Sequence, residues 1–511
     1  MPIHFSLMRY FSVFLLIFLS VIMTAADLQA QHSRGSSNII SQDLAKSRGL
    51  VRQWETRLEM DASRDKLAYL KLYDNTLYSV TEGGRVLALN AETGAILWKQ
   101  AVGKLHNITL EPDVSEHYLG VTNGAFLYIL NRHTGKILLE QELPSAPATG
   151  PAITQHRAYI PVMNGIVYAY DLQPVEDPFE KLGKLPANLS EHERQRRREI
   201  TLESLRLVKS YQHPLSTRAI GEIVFPPQVI REKDKHEMIA WTTDDNVLTV
   251  IDLMQKNESV LDEKFNVSIV GKVSCPLGHM PYDENNSENS GLLYIGTKEG
   301  HVICVYETDG EILWRFPTGE HISSAPAYVD GELFVSTLLS GMYCLDALSG
   351  GNENSTDPKW WAPHIRQFLS CSKGRVYSVD HADQLAILDR SSGQKIASLP
   401  IQNHPIRLTN LQTDRIYIAT ETGTVLCFRE TALDSPINYL APKEKKQVTI
   451  TDTSAQTDTD SDDNGDDSSD ADFSEDSEDD FSEDSEEDFP EDSAEEDFLD
   501  DSEEDSGEED F

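Results

Sequence analysis

A chain of 511 residues with 39% hydrophobic residues is long enough to bury a large core, and its formal net charge of −41 is distributed very unevenly. Residues 451–511 contain 32 Asp and Glu side chains and no Lys or Arg, which leaves 53 acidic and 44 basic side chains for residues 1–450. This balance argues against nucleic acid as a partner, because phosphate binding requires clustered positive charge. The five cysteines are an odd number, so a complete disulfide framework is not expected.

The N-terminal 30 residues have the pattern of a signal peptide. A basic residue, Arg9, precedes an apolar run from Phe11 to Met23, and small residues follow where a signal peptidase could cut. An uncleaved membrane anchor is the alternative, but the run is shorter than the ~20 residues that a span prefers. Residues 1–30 therefore predict export to the periplasm, cell envelope or extracellular space. The polar residues 31–49 are interpreted as a flexible lead.

A unit of three short strands recurs along most of the chain, and residues 76–98 are its clearest copy. Alternating apolar residues predict strands separated by glycine turns at Gly83–Gly84 and Gly94, and the unit ends at Trp98. If Ala88 is taken as the reference, equivalent positions follow at Ile129, Ala169, Val250, Cys304, Cys344, Ile387 and Cys427. A period of about 40 residues with strands and glycine turns predicts the blades of a β-propeller.

The predicted fold is an all-β, eight-bladed β-propeller over residues 50–440. The first part, residues 50–56 with Trp54, resembles the fourth strand of a blade that has no other strands before it. The last blade, which contains residues 425–428, lacks a fourth strand. Pairing of these two segments would close the ring and leave no open sheet edge between its ends.

Three insertions are predicted at residues 172–200, 279–290 and 351–359. The first is rich in Pro, Glu and Arg and lacks alternating apolar residues, so it is interpreted as an insertion and not as a ninth blade. Residues 207–211 are predicted to supply the delayed fourth strand of that blade. In an up-and-down blade, all three insertions emerge on one face. That face is the predicted partner site, and neutral variation in tolerant loops is the alternative.

Residues 441–511 form an acidic tail that is predicted to be disordered. Its carboxylates repel one another, and its isolated phenylalanines cannot bury enough apolar surface to offset chain entropy. A basic cluster in the first insertion could contact this tail or a protein partner; its members are Arg194, Arg196, Arg197 and Arg198.

One stretch of the tail matches the first half of a calcium-binding loop. The candidate ligands are Asp460, Asp462, Asn464 and Asp466. The bidentate Glu expected at position twelve is replaced by Ala471, so an EF-hand is not predicted. Weak binding of calcium and other divalent cations by the dense carboxylates is one interpretation of the tail, and a solvating segment is the other.

Residues 88–98 resemble the tryptophan-docking repeat of pyrroloquinoline quinone (PQQ)-type propellers, Ala-x-Asp-x-x-x-Gly-x-x-x-Trp, with Asn90 in place of Asp. The resemblance covers about residues 50–430 and implies an eight-bladed ring. It also implies that each repeat tryptophan packs on the adjacent blade and does not bind a cofactor. The tryptophans concerned are Trp54, Trp98, Trp314 and Trp360.

The resemblance extends to two branches with different chemistry. Quinoprotein dehydrogenases bind PQQ and calcium, typically beside a disulfide between adjacent cysteines, and this chain has no Cys-Cys pair. The BamB-like branch is non-catalytic and holds partners in outer-membrane β-barrel assembly. BamB proteins carry an N-terminal lipidated cysteine and no acidic tail, and this chain departs from them in both respects.

These observations predict an exported, non-catalytic binding scaffold without a cofactor. Its expected partner is a protein or peptide, and the resemblance allows for a membrane-associated complex. A degenerate quinoprotein with a redox cofactor in its central channel is the first alternative. A surface protein that captures cations through its tail is the second.

Overall fold

The computed structural model of this protein describes residues 40–172, 214–233, 236–254, 261–282, 290–352 and 355–440. They form eight four-stranded antiparallel sheets, each made of consecutive strands except the last, which takes one strand from the N-terminal side. The predicted eight-bladed propeller is confirmed.

The first four blades follow the chain in order, with the innermost strand first. Blade one comprises β2 (Leu67–Tyr73), β3 (Thr76–Thr81), β4 (Arg85–Asn90) and β5 (Ile96–Ala101). Blade two comprises β6 (Asp113–Val114), β7 (Tyr118–Asn123), β8 (Phe126–Asn131) and β9 (Ile137–Glu142). Blade three comprises β10 (Ala152–Ile153), β11 (Arg157–Pro161), β12 (Ile166–Asp171) and β13 (Leu215–Arg218). Blade four comprises β14 (Gln228–Lys233), β15 (His236–Thr242), β16 (Val247–Met254) and β17 (Glu263–Ser268).

The remaining blades complete the ring. Blade five comprises β18 (Gly278–Met280), β19 (Leu292–Gly296), β20 (His301–Tyr306) and β21 (Ile312–Pro317). Blade six comprises β22 (Ala327–Val329), β23 (Glu332–Ser336), β24 (Gly341–Asp346) and β25 (Trp360–Pro363). Blade seven comprises β26 (Ile365–Cys371), β27 (Arg375–Asp380), β28 (Gln384–Asp389) and β29 (Lys395–Pro400). Blade eight comprises β30 (Ile406–Arg407), β31 (Ile416–Ala419), β32 (Thr424–Glu430) and β1 (Leu50–Arg57).

The ring closes through the N-terminal strand, as predicted. Strand β1 pairs antiparallel with β32, and Trp54 lies opposite Cys427. The pairing satisfies the outer edge of β32 with a segment whose residues lie about 370 positions away in sequence.

The core lies between successive blades, where the middle strands are buried on both faces. Small residues are needed at these contacts, and the cysteines are part of this packing. All five cysteines are buried and free of disulfides. Burial raises the pKa of the Cys275 and Cys371 thiols to about 12, so both stay neutral and unreactive at physiological pH.

The predicted flexible lead is wrong for its last residues. A short helix, α1 (Gln42–Ser47), precedes β1. Ser41 caps it by accepting a hydrogen bond from the Leu44 N–H, and Asp43 occupies the first turn, where a negative charge is favourable. Ala45 is fully buried and packs in the core between blades seven and eight. Residues 31–39 lie outside the described residues.

The up-and-down topology gives the ring two different faces. The insertion face carries the connections from first to second and from third to fourth strands. The connection face carries the turns from second to third strands and the connections between blades. The fourth strand of blade three is β13, and residues 207–211, which were predicted to supply it, lie outside the described residues. Long connections at 172–214, 281–291 and 347–359 emerge on the insertion face.

Within the described residues, no helix combines the length and the apolar character needed to cross a membrane.

Candidate functional site

The four predicted docking tryptophans each contact the next blade. Trp98 of blade one donates a hydrogen bond from Nε1 to the Arg132 carbonyl of blade two at 2.9 Å. The other three do the same across their own blade junctions: Trp54 to Ala91, Trp314 to Ala347 and Trp360 to Arg390. Each indole therefore contacts the neighbouring blade, as expected for a residue that packs two blades together.

Glycine is required beneath each indole. Gly135 has φ +71°, and a Cβ built there would lie 2.4 Å from the Trp98 ring. The repeat glycine therefore supplies both a left-handed turn and the space for a close approach. Gly94, Gly350 and Gly393 meet Trp54, Trp314 and Trp360 in the same way.

The docking position exists in all eight blades, although only four carry tryptophan. In each blade, the residue equivalent to Ala88 pairs with one residue of the outermost strand, as Ala88 pairs with Trp98. This partner is called the docking residue. In order from blade one, the docking residues are Trp98, Leu139, Leu215, Phe265, Trp314, Trp360, Ala397 and Trp54. Phe265 packs against Gly310, so it replaces the missing indole of blade four. The sequence interpretation missed Phe265 because its motif lacks tryptophan.

Ring closure also depends on a buried arginine that the sequence pattern does not reveal. Arg415 of blade eight is fully buried and contacts Glu92 of blade one at 3.1 Å and Asp414 at 3.0 Å. Gln53 of β1 donates to the same Glu92 carboxylate at 2.9 Å. The closing strand, the first blade and the last blade therefore share one polar network.

The central channel contains a cavity of 590 Å³ that is lined mainly by β2, β30 and the segment after β30. Lys71 in this wall lies 3.2 Å from Asp113, and Asp113 also accepts the Ile153 backbone N–H at 2.9 Å. One carboxylate thus links the inner strands of three blades. The wall is polar, and its charged groups hold the blades together.

The channel does not fit the cofactor of the quinoprotein alternative. PQQ is a tricarboxylate, but the two basic side chains of the cavity wall already have carboxylate partners: Lys71 pairs with Asp113, and Arg407 pairs with Asp383 at 3.0 Å. Glu111 adds a further acidic group. Across the described residues, no group of three or more His, Cys, Asp and Glu side chains is placed to hold a metal ion.

Buried carboxylates lie near the insertion face, and protein groups satisfy them. Glu237 is fully buried and accepts hydrogen bonds from Thr154 Oγ1 at 2.5 Å and from the Tyr159 hydroxyl at 2.7 Å. Glu307 is also fully buried; it pairs with Arg231, and its Oε2 lies 3.2 Å from His279 Nε2. These acids connect neighbouring blades and leave no free catalytic carboxylate at either position.

Glu232 differs because none of the basic side chains that the structure describes forms a salt bridge with it. It accepts a hydrogen bond from the Gln155 backbone N–H. Burial, with a smaller contribution from Glu237, raises the pKa of Glu232 to about 7. The unfolded chain holds this proton only below its ordinary pKa of 4.5. The folded state therefore loses stability as the pH rises from 4.5 through 7.

We expect Glu232→Gln to stabilise the protein at pH 8 by about 1–2 kcal/mol, because glutamine stays neutral while the wild-type carboxylate must ionise and solvent screens part of the cost. The substitution should have little effect at pH 4.5. Urea unfolding at both pH values measures the difference. Glu116→Gln is the matched control, since this exposed carboxylate contacts the Gln155 side chain. Equal stabilisation at both pH values would contradict the argument.

Exposed apolar side chains are concentrated on the connection face. Of the fourteen exposed large hydrophobic residues in the described chain, eight lie there: Leu105, Ile108, Met163, Ile220, Val224, Val270, Leu338 and Leu339. Of the same fourteen described residues, Tyr282 and Leu348 lie in insertion-face connections. These exposed apolar residues lie on the face opposite to the predicted partner face. Insertion length did not indicate which turns and connections expose apolar side chains.

A groove of 530 Å³ separates blades six and seven at the side of the ring. The connection between these blades is a single residue, His364, whereas most blade connections contain nine residues or more. Lys395 lines the groove and pairs with Asp380 at 2.8 Å. The groove remains open because no long connection covers it.

Two sets of predicted site residues lie outside the described residues. One is the basic cluster Arg194, Arg196, Arg197 and Arg198. The other is the weak calcium candidate Asp460, Asp462, Asn464 and Asp466. Both remain predictions from the sequence.

Comparison with known proteins agrees with the propeller architecture. The family described as outer membrane protein assembly factor BamB matches residues 51–174 and 276–435, which is more than half of the chain. The crystal structure of BamB from Moraxella catarrhalis superposes with a TM-score of 0.50 at 12% identity, covering 74% of this chain and 97% of that chain. The computationally designed protein Ika8 gives a TM-score of 0.49 at 12% identity, covering 73% of this chain and 98% of that chain. Curated proteins give no match.

At 12% identity the superposition with BamB shows a shared fold alone. The family match rests on the repeats themselves, from the closing strand through blade three and again from blade five through blade eight. The chain therefore belongs to the BamB family of PQQ-like β-propellers.

Proposed function

We propose that this protein is an exported, non-catalytic scaffold that holds a protein partner on its connection face. The observation that carries the proposal is the concentration of exposed apolar side chains on that face. Exposed apolar surface costs free energy in water and is characteristic of protein–protein contact sites. Family membership supports the same class of function, since the matched family is described as an assembly factor.

The ring suits such a role because it is stiff. Each blade is clamped to its neighbour by buried apolar contacts and, at four junctions, by an indole hydrogen bond. A rigid surface loses little conformational entropy on binding, so modest apolar contacts can give specific affinity.

The absence of catalysis is also part of the proposal. The carboxylates of the buried Glu237 and Glu307 form hydrogen bonds and an ion pair with residues of neighbouring blades. The five thiols are buried, and burial raises the pKa of each. We assign these residues a packing role, and we assign protein binding to the connection face. Export rests on residues 1–30, whose pattern is that of a signal peptide.

Site-specific photocrosslinking in the native host tests the partner face. A photoreactive phenylalanine derivative at Leu339 or Ile220 should give discrete crosslinked adducts with another protein, because both positions are exposed on the connection face. Mass spectrometry of the adducts identifies the partner.

Leu348 provides the matched control. It belongs to blade six, as Leu339 does, and is 54% exposed, but it lies in a connection on the insertion face. We expect no adduct from Leu348. Adducts from Leu348 alone would move the partner to the insertion face, and no adduct from any position would contradict a scaffold role.

A further inference from the structure

The connection between blades seven and eight contains a buried histidine without a hydrogen-bond partner. This connection comprises residues 401–405 on the connection face. His404 is 1% exposed, and neither ring nitrogen has a hydrogen-bond partner in the described structure. Buried polar groups are nearly always paired, so an imidazole with two unpaired nitrogens is unusual.

The charged groups around His404 are cationic or already paired. The Arg407 Nε donates to the His404 carbonyl at 2.9 Å, which holds the guanidinium beside the histidine. The Arg407 Nη1 contacts Asp383 at 3.0 Å, and Asp383 also binds Arg366 at 2.6 Å. The carboxylate that Arg407 binds is therefore shared by two arginines.

A protonated His404 has no place in this arrangement. Its ring would carry two N–H donors without acceptors and a positive charge beside Arg407. Burial, with the Arg407 charge, lowers the pKa of His404 to about 4. The folded connection thus requires the neutral ring, whereas the opened connection accepts a proton at the ordinary value of 6.5.

The segment is also lightly held. Within residues 401–405, Gln402 Nε2 donates to the Ala382 carbonyl at 3.2 Å, and the His404 N–H donates to the Ile401 carbonyl at 2.9 Å. Ile401 packs in the core between blades seven and eight. Opening of this short loop breaks few contacts compared with opening of a blade strand.

We propose that residues 401–405 form an acid-responsive element, in which protonation of His404 opens the connection between blades seven and eight. The element adjoins the surface described above: Gln402 contacts the turn that contains His381, and His381 Nε2 donates to the Leu339 carbonyl at 3.1 Å. Mild acid therefore loosens the part of the connection face that carries Leu339. The opening itself does not rest on the proposed scaffold function.

Hydrogen exchange of the full chain tests the proposal. From pH 7.5 to pH 5.5, the opening constant of the amides at 401–408, corrected for intrinsic exchange rates, should rise about tenfold in the wild type. It should rise less than about twofold in His404→Phe, because phenylalanine fills the site and does not titrate. If His404→Phe does not fold, His404→Gln serves the same purpose.

His381→Gln is the control, since His381 is an exposed histidine on the same face. This variant should keep the tenfold response. A wild-type opening constant that is equal at the two pH values would overturn the proposal. So would an equal rise in His404→Phe, or a response that disappears in His381→Gln. None of these readouts requires a partner, so failure here leaves the photocrosslinking result independent.

Discussion

Arg415→Met is expected to lower the free energy of unfolding by about 3–5 kcal/mol, because it leaves the buried Asp414 and the partly buried Glu92 without their cation. Asp414 is buried beside Arg415 and would keep hydrogen bonds from backbone N–H groups, among them that of Ile437 at 2.8 Å. Glu92 would lose its ion pair with Arg415 and keep the hydrogen bond from Gln53. Urea unfolding at pH 7 measures the change.

The pH dependence of the destabilisation by Arg415→Met distinguishes the cost of an unpaired buried carboxylate from the cost of lost side-chain packing. Burial already raises the pKa of Asp414, and Arg415 partly offsets that rise. Without Arg415 the pKa moves higher, so Asp414 is neutral more often at pH 5 and the cost should be smaller there.

Arg64→Met is the surface control for Arg415. The Arg64 side chain is 75% exposed and lies 3.7 Å from Asp61. Removal of such an exposed ion pair costs about 0–1 kcal/mol. A similar loss in both variants would show that Arg415 does not hold the ring closed.

Gly135→Ala is expected to destabilise the propeller by about 2–5 kcal/mol. Alanine at φ +71° costs about 1–2 kcal/mol, and the added methyl group must displace the Trp98 indole at a further cost of about 1–3 kcal/mol. The same urea experiment gives the value. Displacement of the indole also removes its hydrogen bond to Arg132, which joins blades one and two.

Gly331→Ala measures the cost of placing alanine at a positive φ without any steric contact of its Cβ. Gly331 has φ +85°, but an added Cβ would meet nothing within 4 Å. This variant should lose only about 1–2 kcal/mol. In a Trp98→Leu background, the cost of Gly135→Ala should fall to that of Gly331→Ala. Equal costs for the two glycine variants in the wild-type background would refute the docking interpretation.

The docking tryptophans show which features of a blade can be predicted from the local sequence. Turn glycines and a terminal Trp lie within one unit of about 40 residues, so the period reveals the blade and its clamp together. Where Phe265 or Ala397 takes the docking position, the motif is lost although the strand pairing is kept. Propensity and spacing identify a blade more readily than they identify the residue that fills a contact.

The segment before β1 shows a limit of composition. Polar residues indicated a flexible lead, yet Ser41 caps a helix, and the buried Ile40 and Ala45 anchor it to the core of blades seven and eight. The capping residue was present in the sequence. Its effect depends on a core surface that forms only when the ring closes.

The sequence by itself determined the number of blades, the closing role of residues 50–56 and the family, because repeat period, turn glycines and strand alternation are local properties of the chain. Only the tertiary structure decided which charges are paired, which face exposes apolar side chains, and that His404 is buried. Those properties depend on residues far apart in sequence, such as Glu92 and Arg415, which become neighbours when the first and last blades meet.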